Sequence, residues 1–265
     1  MITTNMKLFA LVAPVLLIMT GCGSNICAQA EIPHTPSIVE LATLATGVTV
    51  ALISEDSEGR TQTFCSGVWV SETQILTADH CARAQLEHTF NMNADENINH
   101  RAFVAALIKG STIQFMTPED ANGVFENPKR KRTAVVSASD YDHDLAMLVV
   151  NDNDIPCGHS IITLANNNSV IGEEIYVMGH PAALNWSFAH GYMSAERKTF
   201  LPAGAHKGPW YQVDVAAWRG NSGGGVFNTN GELLGIASFL TPAPGHVMYV
   251  HLDSVRAFVQ SQLLL

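Results

Sequence analysis

At 265 residues, the chain has room for one large domain or two small ones. With 47% hydrophobic and 14% charged residues, it is globular rather than disordered. A formal net charge of −10 argues against a general nucleic-acid binder, which would carry a basic face.

The N-terminus reads as an export signal. Met6-Lys7 gives a basic start, and Leu8 to Met19 is an apolar run broken only by Ala13-Pro14. That run is too short to span a bilayer and fits a signal h-region. It ends in Met19-Thr20-Gly21-Cys22, which resembles a bacterial lipobox with Met in place of the more usual Leu. Residues 1–22 therefore read as a lipoprotein-type signal peptide, with Cys22 as the lipidated residue. An ordinary signal cut near Ala28-Gln29-Ala30 is the alternative. The first route anchors the protein by lipid in the bacterial envelope, at the periplasmic face or the cell surface. The second secretes it. Both leave disulfides permissible. Residues 23–38 are small and polar, with Pro33 and Pro36, and read as a tether.

From Val39 on, short apolar runs alternate with turn signals. Val48–Ile53, Thr63–Val70 and Gln74-Ile75-Leu76 read as strands leading into His80. Such spacing suggests an all-β sandwich or barrel. Residues 84–131 are the least readable: Asn91–Asn99 is polar and loop-like, and Phe103–Lys109 suits a strand or a short helix. Lys129-Arg130-Lys131-Arg132 reads as a solvated loop, with a membrane contact or a processing site as the alternative. Thr133–Ser137 and Leu145–Val150 read as strands around Asp144, and the polar stretch 151–168 links the halves. Further strands are expected at Glu174–Gly179, Phe188–Ala195, Trp210–Val213, Gly225–Phe227, Leu233–Phe239 and Val247–His251. Asp253–Leu263 has a polar cap candidate and helical apolar spacing.

Three phrases carry the chemistry. Gly220-Asn221-Ser222-Gly223-Gly224-Gly225 sets a hydroxyl in a glycine-rich turn, where backbone N–H groups can converge on one point. Thr77-Ala78-Asp79-His80-Cys81 offers a base, and Asp144-Leu145-Ala146-Met147-Leu148 a carboxylate to orient it. In the order His, Asp, Ser, these phrases resemble the chymotrypsin-like (trypsin-fold) serine peptidases. Together with Asn230-Gly231-Glu232 and Gly235-Ile236, they look most like the bacterial HtrA/Deg protease domain. The resemblance covers about residues 40–262.

The resemblance implies an all-β fold of two six-stranded antiparallel barrels with a C-terminal helix. Residues 39–265 would form this protease domain: barrel 1 at about 39–155, barrel 2 at about 170–251 and the helix at about 253–263. The separation of His80 from Asp144 is longer than the family needs, so an insertion is expected within 88–130. The chain stops after the helix, so no appended PDZ-like domain is expected. The implied function is a serine endopeptidase acting on polypeptides through a covalent acyl-enzyme. Ser222 would be the nucleophile, His80 the base and Asp144 its orienter, with Gly220 and Ser222 N–H groups as the oxyanion hole. Asp142 is the rival carboxylate; the family places its aspartate just before Leu-Ala-x-Leu, which selects Asp144. Of the other histidines, His143 beside Asp144 and His180 in Gly-His-Pro stand apart from the surface or core average.

The resemblance also implies that Cys65 pairs with Cys81. Cys27 and Cys157 then remain, as a second pair or as two free thiols. Ala216, with Ala217 after it, sits where the family has the base of its primary pocket. No acid stands there, so a small or apolar P1 side chain is the default. Ser238-Phe239-Leu240 matches the segment that pairs with substrate backbone, and Arg219 flanks the entrance. Asn221 replaces the aspartate that many animal members pair with a new N-terminus, which makes that activation route unlike this chain. No cofactor is expected, and no metal either, since there is no His-x-x-x-His or Cys-x-x-Cys pair. Two other readings remain: a protease-fold binding lipoprotein without activity, and an acyl transferase using the same three residues.

Overall fold

The computed structural model describes residues 35–90, 108–122, 126–198, 206–241 and 245–263. The first described element is a helix, α1 (Ile38–Val48), where the sequence suggested the end of a tether and the start of strands. The reason is a capping box. Ser37 Oγ accepts the Glu40 N–H at 3.3 Å, and Glu40 Oε2 accepts the Ser37 N–H at 2.7 Å. Leu41, Ala45 and Val48 then fall on one buried face at helical spacing.

Among the described residues twelve strands follow, six to a barrel. The first barrel comprises β1 (Thr49–Glu55), β2 (Thr61–Trp69), β3 (Gln74–Thr77), β4 (Thr112–Met116), β5 (Arg132–Asp140) and β6 (Leu145–Val150). It closes in the order β1-β2-β3-β6-β5-β4. The second comprises β7 (Glu174–Gly179), β8 (Ser187–Arg197), β9 (Trp210–Asp214), β10 (Gly225–Phe227), β11 (Leu233–Leu240) and β12 (His246–Val250), and closes as β10-β11-β12-β9-β8-β7. All the ladders are antiparallel, and α3 (Leu252–Leu263) ends the described chain. This is the expected two-barrel fold. Closure leaves no sheet edge unpaired.

The cores explain why some strands are apolar on both faces. Along β6, Ala146 and Leu148 fill barrel 1, while Leu145 and Met147 join a second cluster with Tyr176, Met178 and Met248 of the other barrel. Successive strand side chains point to opposite faces, so a strand between barrel interior and barrel interface is buried twice. Strand β12 repeats this: Tyr249 faces its own barrel, and Met248 and Val250 face the interface. Each fully buried aliphatic side chain of this kind contributes about 1.5–3 kcal/mol. The helices α1 and α3 add Leu41, Ala45, Val255 and Phe258 to the same interface cluster.

Two further departures from the sequence reading concern charge and length. Lys129 and Arg130 are exposed in a loop before β5, as read, but the run does not end in solvent. Arg132 is buried and grips Asp120 through Nε at 2.6 Å and a second N–H at 3.0 Å, while Lys131 pairs with Glu55 and Arg130 with Asp154. The chain after His80 enters a helix, α2 (Asp79–Phe90), and β4 lies inside the stretch read as an insertion. Most of Phe103–Lys109 falls outside the described residues.

Candidate active site

Barrel 1 supplies an imidazole and a carboxylate. Strand β3 ends at Thr77, and the chain turns into α2, which sets His80 in that helix's first turn. The turn between β5 and β6 delivers Asp144 with φ 53°, a left-handed conformation that a short polar residue tolerates better than most. Asp144 is fully buried. Its Oδ1 accepts the His80 backbone N–H at 2.9 Å, and its Oδ2 accepts His80 Nδ1 at 2.9 Å. The Ser238 hydroxyl donates to the same Oδ2.

Burial by itself would raise the Asp144 pKa. The charge and hydrogen bond of His80, the charge of His206 and the Ser238 hydrogen bond outweigh it and hold the carboxyl down at about 2. Burial likewise pushes His80 down, but the Asp144 charge and hydrogen bond prevail and lift the imidazole above its ordinary 6.5. The carboxylate therefore stays ionised and keeps a proton on Nδ1, which leaves Nε2, 3.7 Å from Cys81 Sγ, as the basic nitrogen. Asp142, the rival, pairs instead with Lys207 at 2.8 Å, and His143 pairs with Asp140 at 2.8 Å.

Cys65 and Cys81 form a disulfide with their Cα atoms 6.0 Å apart. It ties β2 to the residue directly after His80. Cys65, His80 and Cys81 are also a group of metal-type ligands, but their sulfurs are bonded to each other and are not thiolates. Cys157 is an exposed free thiol. Cys27, and Cys22 with the signal peptide, lie outside the described residues.

Barrel 2 supplies the serine and a shaped backbone. In the loop before β10, Gly220 has φ 105° and Gly223 has φ 82°. A Cβ on Gly220 would sit 2.1 Å from the His180 carbonyl oxygen, and one on Gly223 2.1 Å from the Ser66 carbonyl oxygen. Both positions need glycine for conformation and for space. The Arg219 carbonyl accepts the Ala182 N–H at 2.8 Å, and the Asn221 carbonyl accepts the Gly224 N–H at 2.9 Å. A trans peptide points its N–H opposite to its C=O. Anchoring those two carbonyls therefore directs the Gly220 and Ser222 N–H groups the other way. Neither N–H has an acceptor among the described residues.

Ser222 and His80 line one pocket of about 270 Å³, together with Ala217, Arg219, Ser238, Phe239 and Leu240. Ala216 is exposed and lies outside this lining, because the chain before the loop turns its side chain to solvent; the apolar lining comes from Ala217, Trp218, Ala237, Phe239, Leu240 and Val247. The Ser222 hydroxyl donates to the Ser238 carbonyl at 2.9 Å. It makes no hydrogen bond with His80. A hydroxyl has one proton to donate, so a Ser222 side-chain rotation separates this arrangement from one in which His80 takes that proton.

The side-chain role of Ser238 was not visible in sequence, where the residue was read only for its backbone. Two more polar residues join the site unannounced. Ser66 and His180 are buried under the Gly220 turn and hydrogen bond to each other at 2.8 Å. The placement of His180 between Gly179 and Pro181 was the only signal for it.

A two-barrel fold with this juxtaposition defines a class, and the comparisons agree on it. The model of the trypsin-like peptidase domain matches residues 65–236, and the chain belongs to that family. A protein of Hahella chejuensis described as a probable periplasmic serine endoprotease, DegP-like, is 34% identical over 123 residues. That match covers 46% of this chain and 25% of the relative. The chain thus spans about a quarter of the curated relatives' length. Among solved structures, an HtrA-type protease with a tripeptide has a TM-score of 0.61 at 20% identity, covering 85% of this chain and 63% of the other. The active form of the Rv3671c protease from M. tuberculosis has a TM-score of 0.60 at 14% identity, covering 89% and 92%. At those identities the structures speak for the fold.

Proposed function

We propose that this protein is a serine endopeptidase that cleaves polypeptides through an acyl-enzyme on Ser222. The observation that carries this reading is the buried Asp144 held against His80 Nδ1 at 2.9 Å, beside a pocket that also holds Ser222. In the forward step, the Ser222 hydroxyl turns from the Ser238 carbonyl to His80. Nε2 takes its proton as Oγ attacks the scissile carbonyl, and the Gly220 and Ser222 N–H groups receive the developing oxyanion. His80 then returns the proton to the leaving amine, and Asp144 stabilises the transient imidazolium. The small apolar pocket walls suit a small or apolar P1 residue. We further propose export and lipid anchoring at Cys22 in the bacterial envelope. This rests on the N-terminal phrase and on the word "periplasmic" in the relatives' descriptions.

Peptide-library cleavage and fluorophosphonate labelling test the peptidase reading. Wild-type protein is expected to cleave and to label, and Ser222→Ala to do neither, with turnover down by several powers of ten. The competing reading, a protease-fold binding protein, draws on the resting hydrogen bond of Ser222 to Ser238. It predicts no labelling of wild type, and that result would remove the peptidase.

A further inference from the structure

The three carbonyls that precede and span the Ser222 turn are all held. Backbone N–H groups hold two of them, Arg219 and Asn221. A side chain holds the third: the Ser66 hydroxyl donates to the Gly220 carbonyl at 2.8 Å. Ser66 Oγ also lies 2.8 Å from His180 Nδ1. Both residues are fully buried.

Counting protons orders this chain of contacts. Ser66 has a single hydroxyl proton. If it goes to the Gly220 carbonyl, the His180 contact must be a donation from Nδ1–H to Ser66 Oγ. The His180 Nε2 is then a bare acceptor, and Nε2 is indeed buried without a partner. The opposite tautomer would bury an unpaired N–H and take the Ser66 proton away from Gly220. An unpaired buried N–H is rare among folded proteins. Burial also holds the His180 pKa down at about 3, so the ring is neutral at working pH. The Trp186 ring packs against it in a T-shaped contact, centroids 5.0 Å apart.

We propose that His180, as the Nδ1–H tautomer, sets the Ser66 hydroxyl so that it holds the Gly220 carbonyl and thereby fixes the oxyanion-binding backbone. His180 and Ser66 are positioning residues; neither touches the reacting atoms. The inference rests on the peptidase reading above. Its backbone logic is direct. Gly220 is the most permissive residue in the turn, and its ψ decides where its own N–H stands relative to that of Ser222. Without the Ser66 contact, the Gly220–Asn221 peptide is restrained only by the 3.2 Å bond from the Asn221 N–H to the Trp218 carbonyl.

The test uses the full protein. Measured quantities are kcat and KM on a cleavable peptide, and the affinity of a peptide aldehyde, whose adduct oxygen occupies the oxyanion position. Removing one oxyanion donor costs about 10²–10³-fold, and loosening one should cost less. His180→Ala and Ser66→Ala are each expected to lower kcat about 10- to 100-fold. Aldehyde affinity should fall by the same factor, with KM little moved. His180→Asn keeps an N–H near the Nδ1 position and should restore most of the loss. His180→Gln places its amide further out and should not. A purely packing role predicts the reverse: lowered thermal stability, an aldehyde affinity of the folded protein that does not fall with turnover, and no rescue by Asn. Either that pattern, or variants with wild-type kcat, overturns the proposal. Nitrogen NMR of the wild-type His180 ring is independent of folding of the variants and of turnover. A proton on Nδ1 is expected, and a proton on Nε2 overturns the proposal. If wild type cleaves no peptide, the peptidase reading falls on its own, and the ring tautomer still decides this contact.

Discussion

The two halves of the cleft are built by different means. The barrel 1 half works through side chains: a buried carboxylate, an imidazole whose basicity it raises, and a disulfide one residue away. The barrel 2 half works through main chain: left-handed glycines and carbonyls tied back so that N–H groups face outward. Charge placed by side chains can be removed by a single substitution with the backbone intact. Backbone placed by glycine is broken by any added atom. The halves should therefore fail in different ways.

The largest effect is expected on the barrel 1 side. Asp144→Asn keeps the shape but removes the charge that holds Nδ1 protonated and lifts His80 above 6.5. Turnover should fall by about four powers of ten, because an amide no longer holds His80 in the productive tautomer. The pH profile gives the sign. In the proposed mechanism His80 acts as a neutral base, so the wild-type rate should rise with pH through a midpoint above 6.5, and Asp144→Asn should move that midpoint down. Stability runs the other way for the imidazole. Its charged pair is fully present below 6.5 and is lost as pH rises through the raised value. The Asp144 contribution is fully present above 3.8 and is lost as pH falls toward about 2. A midpoint unchanged in the variant would break the charge-based account of this half.

On the barrel 2 side the corresponding change is Gly220→Ala. The added Cβ meets the His180 carbonyl carbon and oxygen, and φ 105° is one that alanine avoids. Turnover should fall about 10²–10³-fold through the displaced N–H, while the acid limb of the pH profile stays where it is. A shifted limb would mean that the two halves are not separable.

The same contrast governs what could be read beforehand. Leu145–Val150 was legible because a strand buried on both faces is apolar throughout, and His80, Asp144 and Ser222 were legible because local phrases surround each. Contacts between distant residues were not. Ser66 and His180 are 114 positions apart, and nothing near either residue announces which oxygen it holds. Strand β4 was hidden inside a polar stretch, and Arg132 looked like one of four surface cations because its partner Asp120 stands 12 residues away. α1 was missed for another reason. Ile38-Val39 reads as strand by propensity, while the Ser37-x-x-Glu40 box that overrides it was in view.

The disulfide sharpens the comparison at intermediate size. Cys65 and Cys81 close a loop with a sequence separation of 16, which by chain entropy stabilises by about 3 kcal/mol. Replacing both by serine should lower the unfolding free energy read from chemical denaturation by that amount. The loss should also appear in turnover, since the bridge restrains the first turn of α2, where His80 sits. Stability lost with turnover intact would show that Asp144 alone holds the imidazole.

The smallest expected effect is a control on all of these. Ser37→Ala removes one bond of the capping box and should cost about 1 kcal/mol. The helix it caps sends Leu41, Ala45 and Val48 into the cluster between the barrels, yet none of them lines the pocket that holds Ser222. Thermal stability should therefore drop by a few degrees, about what 1 kcal/mol yields in a domain of this size. The kcat, KM and acid limb should stay at wild-type values. If kcat moved with so slight a loss of stability, the cleft would have to follow the packing between the barrels, and the losses in the other variants could no longer be assigned to one half or the other.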